Sequence, residues 1–394
     1  MRPLSQYIIS NQTIFLRVDY NVPLKNHIIQ DTTKIKSSIK TINYLLKHHN
    51  KIILATHLGR PDGKFQKEFS TAQLLPSIQE YFPKEKITFL PDCIGKNIHS
   101  TIQKSSSKIF LLENLRFYKE EEQNNTHFAH SLASVSNSYV NDAFAVSHRA
   151  HASVHSITQF LPSYAGFQLE TEINQLKLAL NPKRPCIWII GGAKLDKINL
   201  INQAFKKADY ILIGGALSFA FLRAKNIPIG QSKTDTKSIT IAKTILKTKY
   251  AKKLILPQDF IVTQTMSPAA KSSFVKYNEI QPNQIALDLG PETIKIFKHF
   301  LRKAYTIVWN GPLGYYEWAK YATATKEIGR FLGTLTATTI VGGGETADAM
   351  HKFHLAYNLT HVSTGGGASL EFLSGKILPG IQALHDNEKK FKLK

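Results

Sequence analysis

Short apolar runs rich in β-branched residues alternate with helical stretches along the whole chain, and this alternation constrains the fold most. It is typical of parallel sheets covered by helices on both faces. The predicted strands of the first half are Thr13–Val18, Ile52–Thr56, Ile87–Leu90, Ile109–Glu113 and Tyr139–Asp142. Those of the second half are Ile187–Ile190, Tyr210–Ile213, Leu254–Leu256, Ala286–Leu289, Thr306–Trp309, Thr339–Val341 and His361–Ser363. Lys34–Lys47 and Thr126–Val135 are among the predicted helices.

Two such series predict an α/β protein with two doubly wound parallel-sheet domains, which also suits a length of 394 residues. Leu169, Ile173, Leu176 and Leu180 recur at helical spacing and indicate a connecting helix, which ends before Pro182. We therefore predict a first domain over 1–168, a connecting helix over 169–181 and a second domain over 182–375.

The balance of 50 basic against 28 acidic residues gives a formal net charge of +22. Such a charge attracts nucleic acid, membrane surfaces or small acids, and composition does not choose among them. The two cysteines, Cys93 and Cys186, exclude a disulfide framework and fit a reducing compartment. The longest nearly apolar run, Tyr210–Leu222, is too short to span a bilayer, and the N-terminus lacks the apolar stretch of a secretory signal. We therefore expect a cytoplasmic protein with no membrane partner.

Cationic side chains follow the predicted strands of the first half, where parallel sheets bind their ligands. These residues are His57, Arg60, Arg116, His148 and Arg149, and Asp19 and Asn21 follow the first strand. Arginine holds carboxylate and phosphate oxygens with two parallel hydrogen bonds. The implied ligand is small, acidic and hydroxylated. The alternative is that each arginine is a surface or interdomain salt-bridge partner.

Glycines follow the predicted strands of the second half, and two triplets are predicted to open helices. The glycine-rich segments are Gly191–Gly192, Gly214–Gly215, Gly311–Gly314, Gly342–Gly344 and Gly365–Gly367. Glycine lets backbone N–H groups approach phosphate closely, and a helix N-terminus adds positive potential. Lys194 and Lys197 are three residues apart, and Glu345 or Asp348 could hold Mg²⁺ through oxygen. A nucleotide site is the interpretation, and ordinary tight turns are the alternative.

The sequence contains neither G-x-x-x-x-G-K-[ST] nor a G-x-G-x-x-G after a strand, which argues against a P-loop enzyme and a Rossmann dehydrogenase. A small acid together with a nucleotide indicates phosphoryl transfer, which depends on positioning and charge neutralisation. A carboxylate acceptor is already ionised, so that no general base is needed.

The same segments resemble the signature motifs of the phosphoglycerate kinase family, in the family's order along the chain. The matching segments are Arg17–Leu24, His57–Pro61, Leu111–Phe117, Tyr139–Phe144, Gly191–Lys194, Trp309–Gly314, Val341–Thr346 and Ser363–Glu371. The resemblance implies phosphoryl transfer between 1,3-bisphosphoglycerate and ADP, giving 3-phosphoglycerate and MgATP. It also implies that the two domains face each other across a cleft, with phosphoglycerate on the first and nucleotide on the second. We expect a monomer with Mg²⁺ as cofactor and a tail, 376–394, that packs back on the first domain.

The resemblance also assigns roles to particular residues. Phosphoglycerate binding falls to Asp19, Asn21, Lys34, His57, Leu58, Gly59, Arg60, Arg116, His148 and Arg149. Nucleotide binding falls to Gly192, Lys197, Gly214, Gly215, Asn310, Glu317, Gly342, Gly343, Gly344, Glu345 and Thr346. The catalytic residues are Lys34, Lys194, Gly343 and Gly366, and Glu345 is the metal ligand.

Three departures from the family pattern concern this site. Lys34 stands where the family has an arginine, which keeps the charge but loses the planar fork. Lys194 and Lys197 are one residue closer than the family's pair, and Glu345 replaces an aspartate. The alternative functions are a catalytically weakened or non-catalytic protein that binds anions or nucleic acid, and a kinase for another small acid.

Overall fold

The computed structural model describes residues 1–192 and 198–392, and the chain divides into two compact units. Unit 1 comprises Met1–Ile173 and Ile377–Lys394, and unit 2 comprises Asn174–Lys376. The boundary at Ile173 falls inside a single helix, Phe167–Leu180.

Unit 1 is built on a six-stranded parallel sheet that carries helices on its faces. Its strands, with a short hairpin after the first, are β1 (Thr13–Arg17), β2 (Leu24–Lys25), β3 (Ile28–Ile29), β4 (Lys51–Ala55), β5 (Ile87–Leu90), β6 (Ile109–Leu112), β7 (Ser138–Asn141) and β8 (Ser163–Ala165). Its helices are α1 (Thr33–Ser37), α2 (Ile39–Lys47), α3 (Leu75–Tyr81), α4 (Lys96–Lys104), α5 (Lys119–Glu122), α6 (Thr126–Ala133) and the start of α7 (Phe167–Leu180). The spatial order β5-β6-β4-β1-β7-β8 puts β1 between β4 and β7.

The helix predicted over Lys34–Lys47 is interrupted at Ser38, where α1 ends and α2 begins. The Ser38 hydroxyl lies 2.6 Å from the Tyr20 hydroxyl and donates to the carbonyl of Ile35. This buried contact connects residues 18 positions apart, and periodicity within the helix could not reveal it.

Unit 2 has a second six-stranded parallel sheet, in the order β11-β10-β9-β15-β16-β17. The strands of unit 2 are β9 (Cys186–Ile190), β10 (Tyr210–Ile213), β11 (Leu254–Ile255), β12 (Asp259–Thr263), β13 (Ser272–Lys276), β14 (Ile285–Leu289), β15 (Thr306–Asn310), β16 (Thr338–Gly342) and β17 (His361–Val362). The helices are α8 (Ile198–Lys207), α9 (Leu217–Ala224), α10 (Thr236–Leu246), α11 (Pro291–Leu301), α12 (Thr323–Leu332), α13 (Gly344–Lys352) and α14 (Gly367–Leu373). When its strands are numbered in chain order, this sheet has the strand order of dinucleotide-binding sheets. In such sheets the ligand-binding crevice lies where the strand order changes direction, which is between β9 and β15 here.

One predicted strand belongs to a different kind of sheet. Ala286–Leu289 forms most of β14, but β14 lies with β12 and β13 in a separate antiparallel sheet. A parallel connection needs a crossover of about a dozen residues or more. The segments 264–271 and 277–284 are shorter than that, so the expectation of a parallel sheet was wrong for this strand.

The chain ends with α15 (Pro379–Lys390), which packs on β8 and on the short helical turn Ser156–Gln159 of unit 1. Within residues 1–192 and 198–392, no helix is long and apolar enough to cross a membrane.

Candidate functional site

The carboxyl ends of β1, β4 and β7 are adjacent in unit 1, because these strands pair in parallel register. Asp19 follows β1 and His57 follows β4, so the sheet brings the predicted polar residues to one edge. Asp19 and His57 are 38 residues apart in the sequence, and the pairing of β1 with β4 places both at this edge.

A chain of polar contacts joins several of the predicted phosphoglycerate-binding residues. The Lys34 ammonium lies 2.7 Å from Asp19 Oδ2, and Asp19 Oδ1 accepts from the backbone N–H of Asn21. The Asn21 side-chain oxygen accepts from the Gly59 N–H at 2.9 Å, and Arg116 donates to the Gly59 carbonyl at 2.8 Å. Lys34 therefore belongs to this cluster, with its ammonium paired to the Asp19 carboxylate.

His57 is held in one tautomer by a buried arginine. Arg17 Nη2 lies 3.3 Å from His57 Nδ1, and a guanidinium can only donate, so that Nδ1 accepts and the proton sits on Nε2. Burial lowers the pKa of His57 well below its usual range, and the charges of Arg17 and Arg116 lower it further. His57 is therefore a neutral hydrogen-bond donor.

The supporting network behind His57 was not predicted from the sequence. Arg17 is fully buried, and its Nε donates to the Ser153 hydroxyl at 2.8 Å. That hydroxyl donates to Oε1 of the fully buried Glu121 at 2.6 Å. Arg17 stands inside a recognised motif, which was a usable signal, whereas no pattern connected Ser153 and Glu121 to it.

The remaining members of the predicted phosphoglycerate set occupy varied positions. Arg149 Nε donates to Nε2 of His148 at 3.3 Å. Burial lowers the pKa of Arg116, and the nearby charge of Arg149 lowers it further. Leu58 is buried, with its N–H and carbonyl both bound to the Asn114 side chain. Arg60 is exposed and makes no hydrogen bond or ion pair with the part of the chain that the structure describes.

Unit 2 contains a cavity of about 470 Å³ at the reversal point of its sheet. Gly192, Gly215, Glu317 and Glu345 from the predicted nucleotide set line it. Its other walls are largely apolar and include Phe219, Phe260, Leu289, Leu313 and Met266. Sequence analysis could not separate these wall residues from ordinary core residues, because both are apolar and lie within or next to strands and helices. A cavity of this size with apolar walls and a few polar groups suits a heterocyclic ligand.

Glycine is required where the loops after β9, β10 and β15 meet. Gly192 N–H donates to the Pro312 carbonyl and Gly215 N–H donates to the Leu313 carbonyl. Gly215 has φ +57°, and a Cβ there would lie 2.5 Å from the Gly192 nitrogen. Gly214 packs against Leu313 behind the cavity and does not line it.

The two glycine triplets open helices, as predicted, and a serine joins them. Gly343 precedes α13 with φ +94°, and its N–H donates to the Ser369 hydroxyl at 3.1 Å. The same hydroxyl donates to the carbonyl of Gly366, which precedes α14. A Cβ on Gly344 or Gly366 would meet no atom of the described residues within 4 Å, which leaves space beside both helix starts.

Some of the predicted nucleotide-binding side chains near α13 are exposed, and others are buried and hydrogen-bonded. Glu317 and Glu345 are exposed at the cavity. Thr346 is buried and accepts from the Gly311 N–H at 2.6 Å. Asn310 donates to the Gly342 carbonyl, while its buried side-chain oxygen has no partner within the described residues. Lys194 and Lys197 lie outside the described residues.

Asp288 is a buried carboxyl group in the wall of the cavity. It accepts from the N–H groups of Leu289 and Ala324 at the start of α12. Gly314 passes so close that a Cβ there would lie 2.1 Å from Asp288 Oδ1. Burial raises the pKa of Asp288 to about 7.

Because this pKa lies above that of the unfolded chain, the protonated carboxyl favours folding below about pH 4, and that stability is lost as pH rises through 7. Asp288→Asn should therefore become more stable relative to the parent protein between pH 4 and pH 8, by on the order of 3 kcal/mol. The lost hydrogen-bond acceptor shifts the free energy of unfolding by the same amount at every pH.

Urea unfolding followed by tryptophan fluorescence measures this stability difference, since Trp188, Trp309 and Trp318 all lie in unit 2. Glu292→Gln, an exposed carboxylate of unit 2, is the control. A difference that is constant with pH would contradict the expectation.

Comparisons with known proteins agree with the motifs. The sequence model described as phosphoglycerate kinase matches residues 4–376. The phosphoglycerate kinase of Coprothermobacter proteolyticus is 43% identical over 391 residues, which cover 98% of both chains. The cytosolic phosphoglycerate kinase of Triticum aestivum is 42% identical over 97% of this chain and 98% of its own. The structure of phosphoglycerate kinase from Coxiella burnetii superposes with a TM-score of 0.87 at 34% identity and covers 98% of both chains.

The matches extend over nearly the full length of this chain and of the proteins that it matches, and the sequence and fold comparisons agree. The chain therefore belongs to the phosphoglycerate kinase family.

Proposed function

We propose that the chain catalyses reversible phosphoryl transfer from 1,3-bisphosphoglycerate to MgADP, giving 3-phosphoglycerate and MgATP. The observation that carries the proposal is the cavity at the sheet reversal of unit 2, together with the glycine-led start of α13. Apolar walls suit a base, and the free N–H groups and positive end of a helix suit phosphate. Glu317, exposed at the cavity, has the chemistry to accept from ribose hydroxyls.

The cluster of unit 1 supports phosphoglycerate as the second substrate. Lys34, Arg116 and Arg149 supply positive charge, and His57 supplies a neutral N–H donor through Nε2. Asp19 and Asn21 can accept from a hydroxyl. In the reverse direction, the carboxylate of 3-phosphoglycerate attacks the terminal phosphoryl group of ATP without a base, so these residues bind, orient and neutralise charge.

Mg²⁺ suits the carboxylate present at the cavity. The described residues hold no group of three metal-ligating side chains. Magnesium commonly binds through one or two carboxylates together with substrate phosphates, and Glu345 at the start of α13 provides one such oxygen donor. Bound Mg²⁺ would supply charge neutralisation on the phosphates. Lys194 and Lys197 remain predicted contacts of the phosphoryl group and the nucleotide. A cytoplasmic location also remains a prediction, supported by the free, buried Cys93 and Cys186. The monomeric state remains a prediction as well.

A coupled assay tests the proposal in both directions. Purified protein should form ATP from 1,3-bisphosphoglycerate and MgADP, and should consume MgATP with 3-phosphoglycerate. Folded protein that is inactive in both directions would refute the proposed activity. A panel of small acids tests the alternative acceptor, and nothing in the comparisons favours a nucleic-acid-binding role.

A further inference from the structure

The last helix of the chain is fastened to unit 1 by a buried asparagine. Asn387 in α15 donates to the carbonyls of Thr158 and Leu161, at 2.6 and 2.8 Å. Its side-chain oxygen accepts from the Ser163 N–H and from Arg2 Nη1, both at 2.9 Å. All of its side-chain hydrogen-bonding groups are used, and the residue is only 2% exposed. The helix therefore has a fixed position on this unit.

In the first turn of the same helix, Gly380 contacts the backbone of Ser147. The Gly380 N–H donates to the Ser147 carbonyl at 2.9 Å. A Cβ on Gly380 would lie 2.7 Å from Val154 Cγ1 and 3.1 Å from both Ser147 Cα and Cβ. Gly380 does not have a positive φ, so lack of space, rather than backbone conformation, requires glycine here.

Ser147 begins the turn that carries His148 and Arg149. Its hydroxyl donates to the Ala143 carbonyl, and its N–H donates to the Phe144 carbonyl. The Arg149 N–H donates to the Val146 carbonyl. These bonds tie the turn to the residues that precede it, and Gly380 contacts the turn at the Ser147 carbonyl.

We propose that Gly380 is a positioning residue for the phosphoglycerate site, which sets the position of the turn bearing His148 and Arg149. The proposal rests on the proposed function, because it assumes that these two side chains bind the phosphorylated acid. Any larger residue pushes the turn and the first turn of α15 apart, and displaces a side chain that must meet a small anion.

Gly380→Ala tests this proposal, because it should change the KM for one substrate and not for the other. Displacement of a binding group by a fraction of an ångström should raise KM for 3-phosphoglycerate about tenfold. KM for MgATP should stay within about twofold, since the nucleotide set lies in unit 2. A purely structural role would reduce the amount of active enzyme and would leave both KM values unchanged. Gln382→Ala, a truncation in the same helix, is the control.

Rescue provides the second measurement. Val154→Ala removes the atom nearest to the added methyl group, so Gly380→Ala/Val154→Ala should recover part of the lost affinity. If Gly380→Ala does not fold, the double variant is compared with Val154→Ala alone. It should retain a raised KM for the acid, because the 3.1 Å contacts with Ser147 remain.

The possible failures are distinguishable. A parent protein that neither turns over nor binds 3-phosphoglycerate in calorimetry would overturn the proposed function. An active parent protein whose Gly380→Ala variant keeps its KM for the acid within twofold would overturn the positioning role alone.

Discussion

Lys34→Met is expected to lower kcat/KM for 3-phosphoglycerate by about a hundredfold or more, the usual range for losing one charged or donor group at a transition state. Its ammonium lies 2.7 Å from Asp19 Oδ2, and the Asp19 side chain is only 11% exposed. Methionine removes a positive charge from the site and leaves this carboxylate without its ion-pair partner.

Two further variants sharpen the result. Lys36→Met makes the same change on an exposed residue of α1 and should stay within about twofold of the parent. Lys34→Arg should raise turnover or leave it unchanged, because a guanidinium can bind Asp19 and still present further donors. A large loss in Lys34→Arg would mean that the surroundings of Lys34 have adapted to lysine. Activity of Lys34→Met within threefold of the parent would refute its catalytic role.

Gly343→Ala is expected to lower kcat/KM for MgATP by about a hundredfold or more, because a strained backbone here misplaces the start of α13. The residue has φ +94°, and a Cβ would lie 2.6 Å from Asn310 Nδ2. Asn310 is itself tied to the Gly342 carbonyl and is 2% exposed, so it cannot move aside easily. The substitution should also disturb the Gly343 N–H bond to Ser369.

Gly95→Ala is the matched control for backbone strain. Gly95 also precedes a helix, α4, with φ +112°, but its added Cβ would meet nothing within 4 Å among the residues that the structure describes. It should cost about 1–2 kcal/mol of stability with little change in kinetics. Steady-state kinetics and calorimetry with MgADP distinguish the two variants. Equal kinetic effects in both would show that strain in general, rather than the nucleotide site, explains the loss.

The sequence predicted those candidate site residues that follow strands in the chain. Asp19, His57 and Arg116 were chosen because apolar runs end shortly before them, and parallel sheets bind ligands at that edge. Arg17 was passed over as a site residue although it stands in a matched motif. Its role depends on Ser153 and Glu121, which are more than 100 residues away. Such a contact has no local signature.

The apolar walls of the cavity were missed for another reason. Phe219, Phe260 and Leu313 have the hydrophobicity of core residues, and only the packed structure reveals the space beside them. The same limit explains β14, whose apolar pattern indicated a strand without indicating its direction.

By itself, the sequence determined the α/β class, most strands of the two large sheets and the glycine-led starts of α13 and α14. These follow from hydrophobic periodicity and backbone freedom, which act over a few residues. Only the tertiary structure decided the strand orders, the break at Ser38, the tautomer of His57 and the contact of Gly380 with Ser147. Each of these depends on groups distant in sequence, whose meeting is set by how all the elements pack together.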